Sequence, residues 1–236
     1  MSSSKGTRIT WLGHATVLVQ TAKDTNVLID PFITHNPKYP KDFELPARIQ
    51  YILLTHGHGD HISDAAPVAK EHGSKVVAIY ELADYMAGKG VAETVGMNLG
   101  GSVELDDVTA TMVDAKHSAA AQDEMGSHYV GVAAGFVIEI AGGPVLYHAG
   151  DTCVFGDMKL IGEIYKPEVA MLPIGGFYTM GPKEAAHACR LLAPRTVLPI
   201  HWGTFPPLKG TPEELAKLVE RGVKVVRWKP GDEYAE

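Results

Sequence analysis

A layered α+β domain, with buried strands and helices packed outside them, is the architecture this sequence predicts. Three observations carry that expectation. Short apolar, β-branched runs recur along the whole 236-residue chain, as strands buried in a sheet require. Helical patterns fall between them in both halves. No Ser/Gly tract, charge run or low-complexity block interrupts the series, so residues 1–236 read as a single domain.

The strand runs are "ITWLGHATVLVQT", "NVLIDP", "YILLTH", "KVVAIY", "VTATMVDA", "GFVIEI", "VLYHAGD", "VAMLPIG", "TVLPIH" and "KVVRW". Near the start, "LGHATV" and "TNVLID" suggest an opening hairpin. Helices are expected at 64–72, which contains Pro67, and at 81–88. In "GPKEAAHACRLLAP", Pro182 suits a first helical turn, and Ala185, Cys189 and Leu192 share one face. "TPEELAKLVERG" has the clearest ends: Thr211 and Glu214 make a capping box, Pro212 takes the first helical position, and Gly222 is the expected stop.

Composition narrows the function. Hydrophobic residues make up 45% and charged residues 21%, as in ordinary globular proteins. The net charge of −7 and the lack of a Lys/Arg cluster argue against a nucleic-acid partner. No apolar run reaches the ~18 residues of a membrane span. The segment "MSSSKGTRIT" has no apolar core of a secretory signal, so the cytoplasm is the expected location. Cys153 and Cys189 stand far apart in no paired motif, and no disulfide is expected.

The chemistry concentrates in "THGHGDH", Thr55 to His61. His56 and His58, two apart on extended chain, point the same way. Gly57 and Gly59 are expected to let the backbone turn tightly, so that Asp60 and His61 swing back towards the same point. Imidazole and carboxylate suit zinc, manganese or iron. The loop can thus offer two nitrogens to one metal, and an oxygen plus a nitrogen to a second. Further ligands are expected where a polar group directly follows an apolar run: His117, Asp151 and His201.

"THGHGDH" resembles the His-x-His-x-Asp-His signature of the metallo-β-lactamase superfamily, with "KHS", "GDT" and "PIHWGTF" following in the appropriate order. Within it, "WLGHATV", "LIDP", "YHAGDT", "LPIGG", "YTMGP" and "PIHWGTF" look like the UPF0173 metal-dependent hydrolases, a group similar to ascorbate-6-phosphate lactonases. The resemblance implies a four-layer αββα sandwich with metals at one edge. It assigns His56, His58 and His117 to a first metal, Asp60, His61 and His201 to a second, and Asp151 to a bridge between them. Two divalent ions follow, zinc foremost, with manganese, iron or nickel as alternatives. Their shared hydroxide would attack a small ester, lactone or phosphoester, with Asp60 orienting it.

The same resemblance brings the segment of His14 near the site, where His14 would bind substrate or donate a proton; a backbone-bonded core histidine is the alternative. Thr55 and Ser118 are candidates to support the metal-binding side chains. His148 reads as a buried supporting residue. His35, Phe177, Tyr178 and Trp202 are candidates for the pocket mouth, whereas His72, His128 and His187 read as ordinary. The expected partner is a small molecule, without nucleic acid or membrane, and a homo-oligomer is compatible. Two other functions compete. A noncatalytic metal-binding scaffold would have little reason to keep all seven ligands. A diiron redox protein of flavodiiron type would carry a carboxylate where His58 stands.

Overall fold

The computed structural model describes residues 6–236. The chain opens with β1 (Arg8–Trp11), β2 (Val17–Gln20) and β3 (Asn26–Ile29), an antiparallel meander. It continues through β4 (Tyr51–Leu53), α1 (Gly59–Ile62), α2 (Ala65–His72), β5 (Lys75–Ile79), α3 (Tyr80–Gly88) and β6 (Glu93–Met97). β7 (Ser102–Leu105) and β8 (Val108–Asp114) start the second half, with a small hairpin of β9 (Ala121–Asp123) and β10 (Gly126–His128). β11 (Ala134–Ile140), β12 (Val145–His148), α4 (Met158–Tyr165), β13 (Val169–Pro173), α5 (Pro182–Leu192) and β14 (Thr196–Ile200) follow. α6 (Pro212–Leu218), β15 (Lys224–Val225) and β16 (Glu233–Ala235) complete it.

The strands form two seven-stranded mixed sheets, ordered β16-β1-β2-β3-β4-β5-β6 and β15-β14-β13-β12-β11-β8-β7. Strand alternation shows how they stack. On β13, Val169 and Met171 join the large core shared with the first sheet, while Ala170 and Leu172 belong to a second core with Ala185, Cys189 and Leu192 of α5. Leu198 and Val197 of β14 divide in the same way. One face of this sheet therefore packs on the other sheet and the opposite face on helices, the period-2 consequence of burying both sides. Leu82 and Met86 of α3 cover the first sheet. This is the expected α+β sandwich of helices, two sheets and helices.

Local chemistry explains most elements. Thr211 accepts from the Glu214 amide at 3.3 Å, and Glu214 accepts from the Thr211 amide at 3.0 Å, the capping box expected. Pro67 is the third residue of α2, where no intrahelical N–H is required. Some elements differ from expectation. "ITWLGHATVLVQT" is two strands, because Gly13 (φ 90) and His14 (φ 55) turn the chain back between β1 and β2. α6 ends at Leu218 with Val219 extended, and Gly222 sits in the turn beyond. "KVVRW" pairs only through Lys224–Val225, and Trp228 leaves the sheet to stack on Trp11 at 5.5 Å. α4, β6, β7, β16 and the β9–β10 hairpin carried no recognised signal.

Strand direction positions everything that follows. β3 and β4 run parallel, as do β12, β13 and β14, and β8 runs with them through antiparallel β11. The C-terminal ends of these strands, with the β1–β2 turn, gather at one edge of the sandwich.

Candidate metal centre

Each expected side chain leaves the end of a strand at that edge. β4 leads into Thr55–His61, β8 into His117, β12 into Asp151 and β14 into His201. His56, His61, Asp151 and His201 are buried, His58, Asp60 and His117 half-buried. Their donor atoms converge. His56 Nε2 lies 3.1 Å from His58 Nδ1, and these two with His117 place one nitrogen each within 4.8 Å of one another. A second group draws together Asp60, His61 and His201 with His14, and a third joins His56, His61 and Asp151. The Asp151 carboxylate reaches both sides. Its Oδ2 is 3.5 Å from His117 Nε2 and 3.0 Å from His201 Nε2, and its Oδ1 is 3.4 Å from His61 Nε2.

Gly57 and Gly59 differ in role, and neither takes a positive φ. A Cβ on Gly57 would stand 2.4 Å from Val130 Cγ2 and 2.5 Å from the Ala119 carbonyl oxygen, whereas one on Gly59 would meet nothing within 4 Å. Gly57 is there for space. Gly57→Ala is therefore expected to cost about 1–3 kcal/mol by overpacking, whereas Gly59→Ala is expected to be neutral or to stabilise by up to about 1 kcal/mol, a contrast read from paired denaturant titrations.

A carboxylate absent from the sequence-derived set organises the loop from behind. Asp30, buried at the end of β3, accepts from the Thr55 amide at 2.8 Å, the Thr55 hydroxyl at 2.7 Å and His61 Nδ1 at 2.8 Å. With its proton given to Asp30, the Thr55 hydroxyl accepts from His56 Nδ1 at 2.9 Å. Both imidazoles are thereby fixed with Nδ1 protonated and the Nε2 lone pair turned inward. His58 uses the opposite nitrogen: its Nδ1 faces His56 and its Nε2 meets Ser118 Oγ at 3.2 Å. Thr55 and Ser118 thus each hydrogen-bond an imidazole of the candidate centre. Asp30 bears the same signal as the others, a polar residue closing an apolar run, and could have been found by it.

The arrangement fits divalent cations. Among the described residues, His61 Nε2, Asp151 Oδ1 and both His201 ring nitrogens are buried without a hydrogen-bond partner, a cluster that calls for an ion. Burial holds His56 well below the ordinary imidazole range and also lowers His58 and His117, which keeps their lone pairs free. Burial acts downward on His61 too, but the Asp151 and Asp30 carboxylates outweigh it and raise its pKa well above 6.5. Burial opposes ionisation of Asp151, yet His201 and His61 keep its carboxyl well below the usual range. A pocket that holds a proton so firmly against carboxylates is one that a divalent cation fills well.

Residues 25–202 match the β-lactamase superfamily domain. A UPF0173 metal-dependent hydrolase of Pyrococcus abyssi is 49% identical, with 96% of this chain and 98% of that protein covered. One from Koribacter versatilis is 46% identical, over 98% and 99%. The chain belongs to the UPF0173 metal-dependent hydrolase family of the metallo-β-lactamase superfamily. Among solved structures, Igni18, described as a novel metallo hydrolase from Ignicoccus hospitalis, superposes with a TM-score of 0.86 at 34% identity, covering 98% of this chain and 99% of that one.

The remaining residues of this UPF0173 chain find distinct places. His14 is fully buried, its Nε2 3.0 Å from Asp60 Oδ2 and its Nδ1 3.0 Å from Thr204 Oγ1. Asp60 as a carboxylate accepts, so Nε2 carries the proton and the Thr204 hydroxyl donates to Nδ1. Burial, reinforced by neighbouring His201, pushes the His14 pKa down to about 4. His148 gives Nε2–H to the Ala15 carbonyl and takes the Gly150 amide on Nδ1, a supporting role that ties the turn before Asp151 to the β1–β2 loop. Tyr178 lines the cavity of about 360 Å³ together with His58, Asp60, His117, Ser118, Asp151 and His201. Trp202 does not: it stacks on Trp11 at 5.5 Å. His35 is exposed and lies outside that cavity lining. Cys153 is exposed, Cys189 is buried, and both are free. No helix of the described residues is long and apolar enough to cross a membrane.

Proposed function

We propose that this member of the UPF0173 family hydrolyses a small ester, lactone or phosphoester at a pair of divalent cations. The observation that carries the reading is the Asp151 carboxylate, whose oxygens lie 3.0–3.5 Å from imidazoles of both groups. His56, His58 and His117 would hold one cation, Asp60, His61 and His201 the other, and Asp151 would bridge them. When bound, such a pair supplies Lewis acidity and an activated water. Zinc suits this nitrogen-rich set, as do manganese, iron and nickel, and availability often decides among them.

The chain's own residues do the rest. The Nε2–H of His14 occupies Asp60 Oδ2 and leaves Oδ1 to turn towards the cavity. Asp60 is the catalytic residue of the pair, able to accept a proton from the attacking water. His14, with both nitrogens engaged, is a positioning residue that acts through Asp60. Asp30 and Thr55 hold the imidazole tautomers, and the cavity of about 360 Å³ has room for a small molecule.

A panel of lactones, thioesters, phosphomonoesters and phosphodiesters, run on protein of measured metal content, tests the reading. Turnover of one class with two metal equivalents per chain is expected. Metal-loaded protein inert to every class would count against hydrolysis. His14→Ala is expected to keep both metals and lower kcat roughly 10- to 100-fold, the cost typical of removing a group that orients a ligand. Unchanged kinetics would return His14 to a purely structural role.

A further inference from the structure

Tyr178 in the cavity wall and Phe177 packed against it stand in an arrangement that folding alone does not reward. Phe177 is 78% exposed and Tyr178 55% exposed, their rings in an edge-to-face pair at 4.7 Å. Phe177 also holds the left-handed backbone (φ 61), directly after Gly176 at φ 73. A bulky residue in that region is strained, and such strain persists only where the surroundings impose it.

The surroundings do so here. The Gly176 amide donates to the Met180 carbonyl at 3.2 Å, and the Met180 amide donates to the Thr152 carbonyl, next to Asp151, at 3.1 Å. At the other end, a Cβ on Gly175 would stand 2.3 Å from the His201 carbonyl oxygen. The loop is therefore clamped between the strand ends that carry Asp151 and His201. It presents Tyr178 to the same cavity as those side chains. A rigid ring pair beside a polar centre, with the polar groups behind it, is how small-molecule pockets divide recognition from chemistry. Aromatic rings bring contact area at little cost in rotamer freedom.

We propose that Phe177 and Tyr178 form an apolar lip that seats the alkyl or aryl group of a carboxylic ester or lactone substrate. This rests on the hydrolase reading above and narrows it: the bond to be cleaved lies over Asp151 and His201, and the apolar substituent extends across the two rings. The Tyr178 ring is part of the cavity wall and the backbone that carries both rings is held by the Gly176 and Met180 hydrogen bonds, so the preference for an apolar group is present before the substrate arrives.

The test compares metal-loaded wild type, Phe177→Gly and Tyr178→Ala on p-nitrophenyl acetate and octanoate, and measures acetate and octanoate binding to the same proteins by calorimetry. Glycine accepts the left-handed backbone at position 177, so that variant removes the ring without adding strain. Wild type is expected to favour the octanoyl group in both assays. Either variant is expected to lower the octanoyl-to-acetyl ratio about tenfold, and Tyr178→Phe to retain it. Equal ratios in wild type and both ring-deleted variants would overturn the lip. Should wild type hydrolyse neither ester, hydrolysis of this substrate class fails on its own, and the octanoate-to-acetate affinity ratio still decides the lip: a drop in Phe177→Gly upholds it, no difference overturns it.

Discussion

Replacing Asp151 with alanine is expected to lower turnover by at least about a thousandfold, the scale on which preorganised electrostatic groups and metal activation of water operate. The same change should reduce bound metal to one equivalent per chain or fewer. The reason is geometric. One carboxylate faces His61, His117 and His201 at once, within 3.0–3.5 Å. Its loss would remove the negative charge that the proposed cation pair needs between them and leave imidazoles facing one another across a buried gap. His58→Ala and Asp60→Ala, each on one side of the bridge, are expected to lose one equivalent and nearly all activity. Elemental analysis beside kinetics reads all three. Two retained metals with wild-type turnover in Asp151→Ala would move the reaction elsewhere in the molecule.

The second large effect lies one layer back. Asp30→Ala leaves the Thr55 amide, the Thr55 hydroxyl and His61 Nδ1 without their acceptor, in a region with no access to water. Buried donors stripped of a partner cost about 1–3 kcal/mol each, and losses within one network are not additive. A destabilisation of about 3–5 kcal/mol is therefore expected. Metal affinity should fall roughly 10- to 100-fold as well, because the His56 and His61 tautomers are no longer held. Asp30→Asn keeps one carbonyl acceptor but aims an amide donor at another donor, so it should fall between wild type and alanine. Urea unfolding reads the stability, and competition with a chromophoric chelator reads the affinity. A wild-type affinity in Asp30→Ala would remove Asp30 from the metal centre while leaving its role in folding.

Much of this was legible in the sequence, for a physical reason. A charged or imidazole side chain directly after an apolar strand is costly unless the strand end is a working surface, and His117, Asp151 and His201 all carried that mark. The strands themselves were readable because both faces of each sheet are covered, which leaves near-continuous apolar runs. Other edge strands were not: β6 contains Gly96 and has no buried residue, so neither alternation nor hydrophobicity marks it. α4 went unseen although Met158 and Ile161 are buried, because it is only eight residues long and carries Gly162 in its interior, which weakens a helical reading. The His14–Thr204 contact spans 190 positions, and no local pattern encodes a pair that only the closed sandwich creates. The crowding of Gly57 by Val130 leaves no trace beside it in the chain.

The candidate cation-binding groups are divided between the two sheets: Thr55–His61 extend from the first, and His117, Asp151 and His201 from the second. Ions bound there would rivet the halves of the molecule together, so that neither could swing away without first releasing its cargo. Heat resistance would then rise with occupancy, because unfolding of either half would have to release the ions first.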